Sequence, residues 1–198
     1  MFNLDKLNDA LKLLGARLEL EKSSPVDIIV CGGASLIVTG LVTRTTKDVD
    51  VLAIIHHSAN GRSAIVESTP LPEALKRAAF QVSRDLGLDE NWLNCSPTAL
   101  IKYGLPDGFI ERLQTKEYGE LLTINFIGRL DQIHFKVYAA VDSGPGRHVD
   151  DLLVLKPTES EIELAARWSL TQDPSEDFRQ TLKKMLKALK YESVANRI

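Results

Sequence analysis

The stretch Ile28-Ile29-Val30-Cys31-Gly32-Gly33-Ala34-Ser35, followed by Arg44-Thr45-Thr46-Lys47-Asp48-Val49-Asp50-Val51-Leu52, decides the fold. A short apolar run of β-branched residues at 28–31 predicts a buried strand. Gly32-Gly33 ends that strand, and Ala34 to Leu41 predicts a short helix. Val49 to Ile55 predicts the next strand. Strand, glycine turn, short helix and acidic strand entry follow one another within about thirty residues, as in an α/β sheet domain.

Outward from this centre the periodicities are clear. Leu4, Leu7, Leu11, Leu14 and Leu18 recur at steps of three and four, which predicts an amphipathic helix over about 5–21. Residues 56–64 predict a polar loop. Thr69 to Pro72 predicts a helix start, with Leu75, Ala78, Ala79, Val82 and Leu86 as its apolar face. Residues 88–108 predict irregular structure. Phe109–Leu113 and Leu121–Ile127 predict strands, and Leu130–Val141 a helix. Thr158-Glu159-Ser160-Glu161 is a capping box. Asp173-Pro174-Ser175-Glu176 predicts a further helix, with Pro at its first position. The expected architecture is α/β (α+β): a small mixed sheet flanked by helices over 1–156, with C-terminal helices over 157–198 packed on the same domain and Pro157 at the junction.

The chain has 198 residues, with 24 Lys and Arg against 27 Asp and Glu, a net charge of −3. That balance argues against nucleic-acid binding by bulk charge. Two cysteines exclude a disulfide framework and a Cys-rich zinc site. No apolar run is long enough for a membrane span, and the start lacks the pattern of a signal peptide, so the expected compartment is the cytoplasm, with no membrane partner.

The chemistry is concentrated at 31–52. Two glycines after a strand let a ligand approach the backbone closely. The N–H groups that open the following helix point at that spot and suit phosphate, with the Ser35 hydroxyl as an added donor. Asp48 and Asp50 are two apart, so on a strand their side chains leave the same face. Two carboxylates that close repel unless a cation lies between them. Mg²⁺, or Mn²⁺ in its place, takes carboxylates together with substrate phosphates. Arg44 offers a planar fork for a phosphate. Gly32, Gly33, Ser35 and Arg44 are therefore the candidate nucleotide-binding residues, and Asp48 and Asp50 the candidate metal ligands. The bland readings are a ligand-free turn and a solvated strand start. His56, His57, His134 and His148 read as structural, Trp92 and Trp168 as packing anchors, and the lysines of the last helix as a solvated face.

In this order and spacing, Gly32-Gly33-Ala34-Ser35 with Asp48-Val49-Asp50 resembles the signature of the nucleotidyltransferase superfamily related to DNA polymerase β. Arg44-Thr45-Thr46-Lys47 before the aspartates is similar to its bacterial branch of minimal nucleotidyltransferases and AbiEii-like toxins. Lys136 within Ile133–Ala140, and Asp151 within His148-Val149-Asp150-Asp151-Leu152, are similar to that branch's later motifs. Trp92-Leu93-Asn94 also resembles a stretch of a poorly characterised bacterial family. The resemblance spans about 26–156. It implies that Asp48 and Asp50 hold Mg²⁺ and that a nucleoside triphosphate lies on the glycine turn. Lys136 stabilises phosphate, and Asp151 orients Lys136 or the acceptor. A nucleotidyl group passes to a hydroxyl on tRNA or another RNA, a protein or a small molecule. A cognate toxin or antitoxin protein is an implied partner. Many members carry a third carboxylate on a later strand, where this chain offers Asn125. Asp131, Asp142 or Asp151 would have to supply it. Otherwise the chain is a reduced module that binds nucleotide or a partner without turnover.

Overall fold

The computed structural model describes residues 1–58 and 61–198 and divides them into two compact units. The first comprises Met1–Lys102 and Ile110–Ile127, the second Tyr103–Phe109 and Gly128–Ile198.

The first unit holds a mixed sheet of six strands: β1 (Val26–Cys31), β2 (Val49–His57), β3 (Ser63–Glu67), β4 (Leu93–Asn94), β5 (Gln114–Glu117) and β6 (Leu122–Phe126). Its order is β3-β2-β1-β6-β5, and β4 shares an edge of β2 with β3. β3 pairs with Ala53–His57, while β4 runs parallel to Val49 and Asp50. Three helices belong to this unit: α1 (Leu4–Leu20), α2 (Gly32–Val38) and α3 (Glu73–Leu86). Leu7, Leu11, Leu14 and Leu18 of the α1 stripe are buried while Leu4 is exposed, and α1 packs on α3, on α2 and on β6.

The pairing of β1 with β2 carries one irregularity that matters for the site. Ile29 faces Ala53, but Val30 faces Val51, so Leu52 is an extra residue on β2. A one-residue slip exchanges the two faces of a strand. Without it Asp50 would fall on the face of Ile28 and Ile54, which are buried apolar residues. With it Asp50 stands opposite Cys31, on the face that carries Ile29 and Asn125.

That second face carries a polar row across five strands. Ser63 Oγ and His57 Nδ1 are 2.9 Å apart, and His57 Nε2 lies 2.7 Å from Asp27 Oδ2. Asn125 Nδ2 donates to Asp27 Oδ1 at 2.5 Å, and Thr115 Oγ1 donates to Asn125 Oδ1 at 2.7 Å.

The second unit is helical, with α4 (Arg129–Asp142), α5 (Gly146–Leu155), α6 (Glu159–Gln172), α7 (Glu176–Ala188) and α8 (Glu192–Arg197). α4 is central and packs on α5, α6 and α7. Phe135 stacks between Phe109 and Trp168, and the Trp168 indole donates to the Gly104 carbonyl. Pro157 joins α5 to α6 inside this unit. No helix among the described residues is long and apolar enough to cross a membrane.

Several local expectations are corrected. The loop expected at 56–64 is shortened at both ends, because His56 and His57 extend β2 and Ser63 and Ala64 open β3. Ala59 and Asn60 of that loop lie outside the described residues. Phe109–Leu113 is not a strand. Ile110–Arg112 forms a 3₁₀ turn, and the strand beside β6 is the polar, exposed Gln114–Glu117. Pro174 precedes the last long helix, whose N-cap is Ser175. The capping box at α6 forms in full: Thr158 accepts from the Glu161 N–H, and Glu161 accepts from the Thr158 N–H.

Candidate nucleotide site

The turn after β1 is tighter than a strand followed by a linker, because α2 begins at Gly32 itself. Gly32 has φ +68°, a left-handed conformation that side chains strain against. A side chain there would also have to displace the Asp50 carboxylate. A Cβ on Gly32 would stand 2.5 Å from Asp50 Oδ2. The same holds at Gly33, where a Cβ would meet Thr46 Oγ1 at 2.6 Å and Arg44 Nη1 at 3.3 Å. The glycine pair thus lets one carboxylate, one hydroxyl and one guanidinium close onto the backbone.

The other members follow from the loop between α2 and β2. Thr46 is buried and is pinned by two backbone hydrogen bonds to Phe2, of 2.6 and 2.9 Å. Its hydroxyl donates towards Asp48 Oδ1 at 3.3 Å. Arg44 donates from Nη1 to the Thr45 carbonyl at 2.9 Å, which holds its fork beside Gly33. Asp48 precedes β2 and Asp50 is its second residue, and both are half-buried. Asp50 Oδ1 accepts from Asn94 Nδ2 at 3.2 Å. Gly32, Gly33, Arg44, Asp48 and Asp50 are therefore brought together. Thr46 has no role in the motif as read from sequence, and Asn94 enters there only as part of Trp92-Leu93-Asn94. Nothing in a two-residue strand announces that Asn94 runs beside Asp50.

Ser35 does not join them as a donor. It is fully buried, and its hydroxyl donates to the Ile127 carbonyl at 3.1 Å. In this structure it anchors α2 to the end of β6, and any cradle at the turn is made by backbone. Asn125 is likewise committed. Its amide serves Asp27, the Ile28 carbonyl and Thr115, and it is 5% exposed.

Lys136 and Asp151 lie in the second unit, on α4 and α5. They form an ion pair of 2.8 Å, with side chains 6% and 2% exposed. Asp131 is also buried there, while Asp142 is exposed and accepts from Ser143.

The donor set of Asp48 and Asp50 is all oxygen and doubly anionic, which suits a hard divalent cation. No three His, Cys, Asp or Glu side chains group as metal ligands among the described residues. A cation held by this pair would have two protein carboxylates at most. Water and substrate phosphate would fill its remaining positions, as Mg²⁺ commonly requires. Beside Asp48 opens a cleft of about 640 Å³, lined by Met1, Lys47, Asp48, Asn91, Asn94 and Ser96 among others; Asp50, Arg44 and the glycine pair do not line it. Its size is that of a small-molecule site. Comparison of the chain with protein-family models, with curated proteins and with solved structures gave no match.

Proposed function

We propose that the first unit binds a nucleoside triphosphate with Mg²⁺ and transfers its nucleotidyl group to a hydroxyl. One observation carries this reading. Asp50 packs on Gly32, Arg44 and Thr46 pack on Gly33, and Thr46 reaches Asp48. An acidic pair, a guanidinium and a glycine turn with no side chains of its own meet at one place, a set of groups suited to a cation and a polyphosphate.

In this reading Asp48 and Asp50 hold the cation, and Arg44 neutralises phosphate oxygens. The cation supplies charge neutralisation on the phosphates when bound. The acceptor oxygen forms a bond to the α-phosphorus while the bond to the bridging oxygen breaks. Pyrophosphate leaves, and the hydroxyl proton passes to solvent. Positioning and charge stabilisation account for the rate. The acceptor belongs to the broad class of hydroxyls on RNA, protein or small molecules. Lys136 and Asp151 enter this reading through the family resemblance alone, and their buried pairing also explains them as a structural element of the helical unit.

The test is transfer of label from each α-³²P nucleoside triphosphate to RNA, protein or small-molecule fractions. Labelled product and pyrophosphate from the native protein, with loss of both in Asp50→Asn at unchanged melting temperature, would support the reading. Equal label in Asp50→Asn would remove it.

A second reading has its own observation. Asn125 is hydrogen-bonded to Asp27 where a third carboxylate would be expected. Nucleotide binding without turnover follows if two carboxylates do not suffice for the chemistry. Calorimetric binding of a nucleotide with Mg²⁺, in the absence of pyrophosphate release, would favour it.

A further inference from the structure

Asn94 places an uncharged amide donor on the acidic pair. It sits on β4, whose parallel pairing places Asn94 opposite Asp50. The pairing is anchored by the Val49 N–H, which donates to the Trp92 carbonyl at 2.6 Å. Trp92 in turn is locked in the core. It is 1% exposed, packs its ring against Phe2 at 5.7 Å between centroids, and donates to the Ala79 carbonyl. Asn94 itself is fixed at both ends of its amide. Oδ1 accepts from the Ser96 N–H at 3.0 Å, an Asx-type turn, and Nδ2 donates to Asp50 Oδ1 at 3.2 Å. The turn settles which end of the amide faces Asp50, since only the oxygen can accept from a backbone N–H.

The two oxygens of Asp50 therefore have different surroundings. Oδ1 faces the Asn94 amide, and Oδ2 lies on Gly32. A neutral donor at this place restrains the rotation of the carboxylate without cancelling its charge. A lysine there would hold Asp50 as firmly but would oppose a cation. Donors of this kind fix the orientation of ligating carboxylates, and their loss typically weakens metal binding about 10–100-fold.

We propose that Asn94 is a positioning residue that holds the Asp50 carboxylate turned to receive a divalent cation; this rests on the reading of Asp48 and Asp50 as cation ligands. Asn94 also lines the cleft of about 640 Å³ beside Asp48.

The test is Mn²⁺ binding by the full chain, read from the electron paramagnetic resonance signal of free Mn²⁺, with and without a non-hydrolysable nucleoside triphosphate. The variants are Asn94→Ser and Asp50→Asn. Serine keeps an acceptor for the Ser96 N–H but is too short to reach Asp50, so the turn survives and the contact is lost. Asn94→Thr serves the same purpose if the serine variant melts early, because threonine is better suited to a strand. The expected result is about tenfold weaker Mn²⁺ binding in Asn94→Ser at an unchanged melting temperature, and loss of binding in Asp50→Asn. Native affinity in Asn94→Ser together with loss in Asp50→Asn would overturn the role of Asn94 and leave the cation reading standing. Native affinity in both variants, or no Mn²⁺ binding by the unaltered protein in the presence of nucleotide, would overturn the cation reading and Asn94's role with it.

Discussion

Asp50 Oδ2 occupies the space into which a side chain on Gly32 would project, 2.5 Å from the position of its Cβ. The carboxylate of β2 and the backbone that opens α2 thereby share one surface. Gly32→Ala meets two penalties. Its φ of +68° strains any side chain, at about 1 kcal/mol, and the methyl group must push Asp50 away. The expected outcome is a drop in stability of about 1–2 kcal/mol in urea unfolding, with a disproportionate loss of nucleotide binding by calorimetry. Stability loss with native nucleotide affinity would show that the turn serves the fold alone.

Asn125→Asp is the substitution that would restore the expected third carboxylate. The structure predicts damage instead. Asn125 Nδ2 donates to Asp27 Oδ1 at 2.5 Å, so an aspartate would set two carboxylates against each other in a site only 5% exposed. A loss of about 1–3 kcal/mol is expected in urea unfolding at pH 7. It should shrink at acidic pH, where one of the two carboxyls takes up a proton. A more active and equally stable variant would contradict this account of Asn125.

The Lys136–Asp151 pair separates a structural from a catalytic role. Its side chains are 6% and 2% exposed. Removing one partner takes a buried counter-charge from the other, at a cost of about 3–5 kcal/mol. Lys136→Met should therefore destabilise strongly. Lys136→Met combined with Asp151→Leu should recover much of the loss, because both buried charges are gone. Thermal melts of the two single variants and the double variant measure the coupling. Transferase activity retained in the double variant would assign the pair to the fold.

Stability at acidic pH tests the capping box of α6. Burial pushes the Glu161 carboxyl up, but hydrogen bonds from Arg129 and from the Thr158 N–H outweigh it, and the net shift is below the ordinary value of 4.5. A depressed carboxyl contributes its stability above the unfolded value and loses it as pH falls through the folded one. The native protein should therefore exceed Glu161→Gln by about 0.5–1 kcal/mol at pH 7. The gap should begin to close below pH 4.5 and vanish once the folded-state carboxyl is protonated. A gap that persists in strong acid would mean that packing, and not charge, accounts for the loss.

Much of this was legible in the sequence, for physical reasons. The leucine stripe of α1 and the capping box of α6 are local signals that tertiary packing reinforces. The glycine pair marks a turn because few other residues tolerate its geometry. The bulge at Leu52 was hidden, because Val51, Leu52, Ala53 and Ile54 form an unbroken apolar run with no alternation to show a slip. β5 was hidden for the opposite reason: Gln114–Glu117 is exposed and polar, and only its pairing with β6 makes it a strand. Ser35 illustrates a third case. Its place in the motif suggests a ligand, but whether a hydroxyl faces a ligand or the Ile127 carbonyl depends on a strand about ninety residues away.

The most direct measurement is anomalous diffraction from crystals grown with Mn²⁺ and a non-hydrolysable nucleoside triphosphate. The account predicts an anomalous peak at the carboxylates of Asp48 and Asp50, with the phosphates running over Gly32 and Gly33 beneath Arg44. Mn²⁺ and nucleotide bound elsewhere, with the two aspartates engaging neither, would contradict it.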